Sequence, residues 1–173
     1  MKTKNQQQLV AAFLDTLDAE AAPLYGELIL CLSELGYSPI RQQSSISFKH
    51  SLHNKQLAKV SAAGPRFMLR FSACRGYSQR FADAVGAAMA RYPKRLARCT
   101  TGDCTYCKGA PDSHVYAYTH PDGTIQTSCG AYALEIPDLT AADLPALKAL
   151  IREEHAYLMA HEAGSPIQIE TEV

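Results

Sequence analysis

The chain has 173 residues, is 47% hydrophobic and 20% charged, and its 17 Lys and Arg balance 17 Asp and Glu. That composition suits one ordinary folded domain and excludes a disordered chain, a collagen-like repeat and a multidomain machine. No window approaches the ~18 consecutive apolar residues of a membrane span. The early apolar run Leu9 to Leu14 stops at Asp15, too short for a signal peptide. A cytoplasmic protein with no membrane partner is the expectation.

The first 36 residues predict two helices. Leu9, Val10, Phe13, Leu14 and Leu17 recur at helical spacing; after a break at Ala21-Ala22-Pro23 come Leu24, Leu28, Ile29, Cys31, Leu32 and Leu35. Gly36 stands where a helix C-terminus wants a residue free to turn left-handed. From Tyr37 the period becomes two. Ile46 and Phe48 alternate with Ser45, Ser47 and Lys49, residues 56–63 predict a second short strand, and residues 66–74 a third. In that third strand Phe67, Leu69 and Phe71 face one way, and Arg66, Met68 and Arg70 the other. His53-Asn54 and Gly64-Pro65 predict the turns.

Ser78 is a candidate cap for a helix striped by Phe81, Val85, Met89 and Tyr92 and stopped by Pro93. A hairpin follows over 114–129, turning at His120-Pro121-Asp122-Gly123 and continuing toward Ile136. Pro, Asp and Gly in that order predict a type I turn with the glycine left-handed. The last helix buries Leu144, Leu147, Leu150, Ile151, Leu158 and Met159. It is capped by Thr140 with Asp143 three residues on, or by Asp143 itself with Pro145 in the first turn.

The order ααβββαββα defines a single α+β domain over 1–173 with a largely antiparallel sheet, helices on one face and the other face partly open. Its parts are a helical hairpin (1–36), a basic ββα half (37–98), a cysteine-rich loop, hairpin and helix (99–163), and a tail (164–173).

Six cysteines are too few for a disulfide-stapled scaffold, and in a reducing compartment thiols grouped in sequence serve metals or redox chemistry. Cys31 lies in an apolar stripe and reads as a small buried hydrophobe. Cys99, Cys104, Cys107 and Cys129 are spaced x4, x2 and x21. If the hairpin turn pairs His120 with Thr124, counting back pairs Val115 with Cys129. That brings Cys129 to the open end of the hairpin, where the chain arrives from Cys107. Four thiolates gathered there match closed tetrahedral zinc, with Zn–S near ~2.3 Å. Cys74 could replace Cys99, and His114 any one sulfur.

Three other readings stay open: free thiols on a loop, an iron–sulfur centre, for which x4 then x2 opens a ferredoxin-like spacing, and a redox Cys-x-x-Cys. His50, His53, His120, His155 and His161 read as scattered imidazoles, with His155 packing in the core. Tyr106, Tyr116, Tyr118 and Tyr132 group around the hairpin, lining a pocket beside the metal or simply packing a half-buried strand.

Neutrality hides an asymmetry. Residues 1–36 carry −3, residues 37–110 carry +11 and residues 111–173 carry −8. Either the acidic last helix, with Glu153, Glu154 and Glu162, neutralises the basic sheet internally, or Arg66, Arg70 and Arg75 bind an anionic small molecule or an acidic partner. Nucleic acid fits less well, because a sequence pI near 7.0 is not the footprint of a counterion-releasing binder. No glycine-rich phosphate loop, nucleophile elbow or H-E-x-x-H occurs.

Cys104-Thr105-Tyr106-Cys107-Lys108-Gly109, followed by Cys129-Gly130-Ala131-Tyr132 and on to Pro137, resembles a group of uncharacterised bacterial proteins with a Cys-x2-Cys then Cys-Gly signature. The likeness spans roughly residues 66–158 and implies an α+β protein with a metal site and no assigned activity. The sequence therefore predicts a zinc-stabilised binding or regulatory module with a basic sheet face. The alternative is an enzyme, with three sulfurs and water on an open metal or a thiolate activated by Arg98 or Lys108.

Overall fold

Thr3 begins the first helix, α1 (Lys4–Leu14), by a capping box: Gln6 N–H donates to Thr3 Oγ1 (3.2 Å) and Thr3 N–H donates to Gln6 Oε1 (3.2 Å). In this computed structural model the described residues are 3–52, 55–61, 66–69, 78–81, 83, 84, 87, 115–119, 122–129 and 134–162. Helix α2 is Ala21–Glu34 and starts earlier than the expected break at 21–23. Asp18 Oδ1 accepts the N–H groups of Glu20 (3.1 Å) and Ala21 (2.7 Å). Pro23 then falls in the first turn, where its missing N–H costs nothing. The break lies instead in 15–20. Gly36, at φ +90, turns the chain out of α2 as expected.

The main sheet has five antiparallel strands in the order β1-β2-β3-β4-β7. They are β1 (Tyr37–Gln42), β2 (Ser45–His50), β3 (Gln56–Ser61), β4 (Arg66–Leu69) and β7 (Leu134–Pro137), and β5 (Val115–Thr119) with β6 (Ile125–Cys129) forms a separate two-stranded hairpin. The three strands expected before the helix are present as β2, β3 and β4, and both strands of the expected hairpin as β5 and β6. β1 was hidden because Pro39, Arg41 and Gln42 break the apolar alternation and because Gln43, not a glycine, takes the turn at φ 48. Pro39 is tolerable because β1 is an edge strand.

The expected continuation of the hairpin toward Ile136 is corrected: β7 leaves it and pairs with β4, Phe67 opposite Ile136. The turns at 53–54 and 64–65, the strand residues 70–74 and the tail 164–173 lie outside the described residues.

Register decides which face is core. Ile46, Val60, Phe67 and Ile136 lie opposite one another across four strands, and Phe48, Ala58 and Leu69 form the neighbouring row. All seven are buried in one cluster with Phe13, Tyr25, Leu28 and Leu32 from the first two helices and with Leu147, Ile151 and Leu158. The last three belong to the final helix, α3 (Leu144–Glu162), entered through the 3₁₀ turn Ala141–Asp143. The helices thus cover one face. The other face carries Ser45, Ser47, Lys49, Lys59, Arg66, Met68 and Glu135 and is less open than expected at β2, where Ser45 and Ser47 are buried.

Of the helix after Ser78, residues 79–81, 83, 84 and 87 are helical. Phe81 N–H reaches the Ser78 carbonyl (3.0 Å) and hydroxyl (3.4 Å), and the Phe81 side chain is buried.

Candidate functional site

The hairpin register follows the counting argument. Asp122 Oδ1 accepts the Thr124 N–H (2.9 Å) and hydroxyl (2.7 Å), Gly123 sits at φ +85, and Thr119 pairs with Ile125. Carried along the ladder, this pairs Val115 with Cys129. The backbone of Cys129 is therefore at the open end of the hairpin, beside the strand end that residues 108–114 connect to Cys107. Cys99, Cys104, Cys107, Cys74 and His114 lie outside the described residues, and among the described residues no group of three or more His, Cys, Asp or Glu could hold a metal ion. Cys31 is a free, buried thiol pushed above its ordinary pKa, first by burial.

Arg66 is on the polar face, where the alternation puts it, but it is held by a salt bridge to Glu135 on the neighbouring β7. Lys49 and Lys59 share that face. Arg70 and Arg75 lie outside the described residues. A second arginine of the basic stretch, Arg80, grips Asp143 with Nε on Oδ1 (2.9 Å) and Nη2 on Oδ2 (3.1 Å), and also donates to the Asp138 carbonyl (2.8 Å). Internal neutralisation therefore operates among the described residues, through Glu135 and Asp143. Of the acids of the last helix, Glu154 is fully buried. An ion pair from α3 to α2 runs the other way, Lys148 Nζ to Glu27 Oε2 (2.5 Å).

Asp143 joins three elements. Oδ2 accepts the Thr140 N–H and hydroxyl (both 2.8 Å), completing the expected capping box, while Arg80 binds from the helix after Ser78. Burial pushes its carboxyl up, but the Thr140 donors and the Arg80 guanidinium outweigh this and hold it below the ordinary value. Thr140-x-x-Asp143 made the cap legible in sequence. Nothing local pointed to Arg80, 63 residues away.

The histidines are not all scattered. His50 is buried on the core face opposite Tyr37, and His155 reaches both from α3. The Tyr37 hydroxyl bonds His155 Nδ1 (3.2 Å), and the two imidazole centroids are 5.7 Å apart. Leu52 N–H donates to His50 Nδ1 (3.3 Å), so a neutral His50 carries its proton on Nε2, over Gly36. Burial, then the His50 charge, lowers the His155 pKa. The signals were present: His50 continues the period-two row of Ile46 and Phe48, and His155 lies four residues beyond Ile151.

No family model matches the chain, and neither a curated protein nor a solved structure does.

Proposed function

We propose that the chain is a zinc-stabilised α+β binding module, in which Cys99, Cys104, Cys107 and Cys129 hold one structural zinc. The observation that carries the reading is the Val115–Cys129 register, which sets Cys129 beside the point where the chain enters the hairpin from the Cys-x2-Cys segment. The donor set fits: four thiols, two of them separated by only two residues, are what closed structural zinc takes. The metal's contribution is then folding energy, tying the segment after the basic helix to the hairpin.

The ligand surface of this module is the polar sheet face, and its ligand an anionic small molecule or acidic partner. Lys49 and Lys59 would meet it rather than Arg66, since Arg66 is already held by Glu135 while the two lysines form no ion pair among the described residues.

Metal analysis of protein purified without a metal-affinity tag tests the reading. One zinc per chain is expected, lost in Cys104→Ser together with near-ultraviolet circular dichroism. Zinc-free folded protein sinks it, a brown chromophore replaces zinc by iron–sulfur, and a Cys104→Ser chain that folds without metal makes the metal other than structural. Salt-dependent retention on a phosphate resin, abolished by Lys49→Ala with Lys59→Ala, tests the basic face.

A further inference from the structure

The turn between β5 and β6 carries a chemistry that neither the zinc nor the basic face uses. Asp122-Gly123 is the one point in the chain where an aspartate or asparagine precedes a glycine. In such a pair the carboxyl carbon of the first residue and the peptide nitrogen of the second can close a five-membered ring, and the glycine sets no side chain in the way.

The structure favours ring closure in three respects. Asp122, Gly123 and Thr124 are all exposed. A Cβ built on Gly123 would meet no atom within 4 Å, so the tip of the turn has room around it. The turn also closes a two-stranded hairpin that, among the described residues, belongs to no larger sheet. A lone ribbon is marginally stable, so this turn opens more readily than one inside the five-stranded sheet.

One feature acts against it. Asp122 Oδ1 accepts both the Thr124 N–H (2.9 Å) and the Thr124 hydroxyl (2.7 Å). Both bonds favour the ionised carboxylate, whereas the ring closes from the un-ionised carboxyl, which can release an oxygen as water.

We propose that Asp122-Gly123 is a site of spontaneous isoaspartate formation whose rate is set by Thr124. The Gly123 nitrogen bonds to Asp122 Cγ, and its hydrogen leaves with the carboxyl hydroxyl as water, giving a succinimide. Water then adds at the main-chain carbonyl of Asp122, and the bond from that carbon to the Gly123 nitrogen breaks. The chain now runs through Cβ and Cγ, the former main-chain carbonyl is a pendant carboxylate, and the atomic composition is unchanged. Because one turn fixes every pair behind it, the added backbone atom releases the Thr119–Ile125 pair and loosens the ladder toward Val115 and Cys129. The site stands whether or not the cysteines hold zinc.

Incubation of the folded full chain at neutral pH and body temperature, then proteolysis and electron-transfer fragmentation of the peptide holding Asp122, tests it. Isoaspartate is expected at Asp122 faster than at any other aspartate, through an intermediate one water lighter. Thr124→Val keeps the N–H and the branched shape and is expected to speed the reaction roughly three- to tenfold, the worth of one charge-assisted hydrogen bond at an exposed site. Thr124→Ser keeps the hydroxyl and the native rate, and Asp122→Glu forms no product, because its ring would be one atom larger. Amide exchange of the modified protein is expected to quicken in β5 and β6 and not in the five-stranded sheet. The proposal is overturned by a folded chain with no isoaspartate at Asp122, by Thr124→Val reacting at the native rate, or by modification that leaves exchange in the hairpin unchanged.

Discussion

Asp143→Ala removes a carboxylate that is 7% exposed and accepts from four donors, two on Thr140 and two on Arg80. Loss of the capping contact at the entry to α3 costs about 1 kcal/mol. The Arg80 pair would be worth more if fully buried, but Arg80 is 47% exposed and rehydrates when released, so about 1–2 kcal/mol is its share. The sum is about 2–3 kcal/mol. For a chain of this size, that lowers Tm by roughly 5–10 °C.

Arg80→Ala alone costs about 1–2 kcal/mol, because Thr140 still serves the carboxylate. Urea denaturation of both single variants and the double variant isolates the pair, with an expected coupling of about 1 kcal/mol. Because Asp143 titrates below its unfolded value, its stabilisation is complete above the ordinary carboxylate range near ~4 and fades as pH falls through the folded pKa. Additive single losses, or an Asp143→Ala loss under about 0.5 kcal/mol, refute the three-element latch.

Gly36→Ala places a methyl 2.9 Å from His50 Nε2 at φ +90, so a loss of about 2 kcal/mol is expected in urea melts; an unchanged midpoint would contradict the close approach. Phe48→Ala, at a fully buried position in β2, is expected to cost about 3–5 kcal/mol, and a loss below about 1 kcal/mol would mean the core is not centred there. His155 binds its proton less readily folded than unfolded, so stability is full above about 6.5 and falls as pH drops below it; in His155→Gln that part of the acid slope disappears, and an identical slope contradicts the packing of the half-buried His155 against His50.

Much of the frame was legible because its signals are local. The helical stripes of Phe13 and Leu28, the alternation through Phe48 and Phe67, Gly36 and Gly123 at positive φ, and Thr140 with Asp143 each depend on residues a few positions apart. The hairpin register was legible for the same reason, since one turn fixes every pair behind it.

What was missed is long-range. β1 has mixed faces and is recruited by pairing with β2; β7 is drawn to β4 by Phe67 and Ile136 across 69 residues. Arg80 finds Asp143, and His50 finds His155, only once the sheet has brought α3 over the core face. At the cysteines, the register bears on the backbone of Cys129, and the proposed roles of Cys99, Cys104 and Cys107 are read from their spacing in the sequence.

Zinc K-edge X-ray absorption of the purified full chain measures the central claim directly. Four sulfur scatterers near ~2.3 Å and no nitrogen or oxygen shell are predicted. A first shell of mixed nitrogen or oxygen, or protein that is folded and binds no zinc, would contradict it.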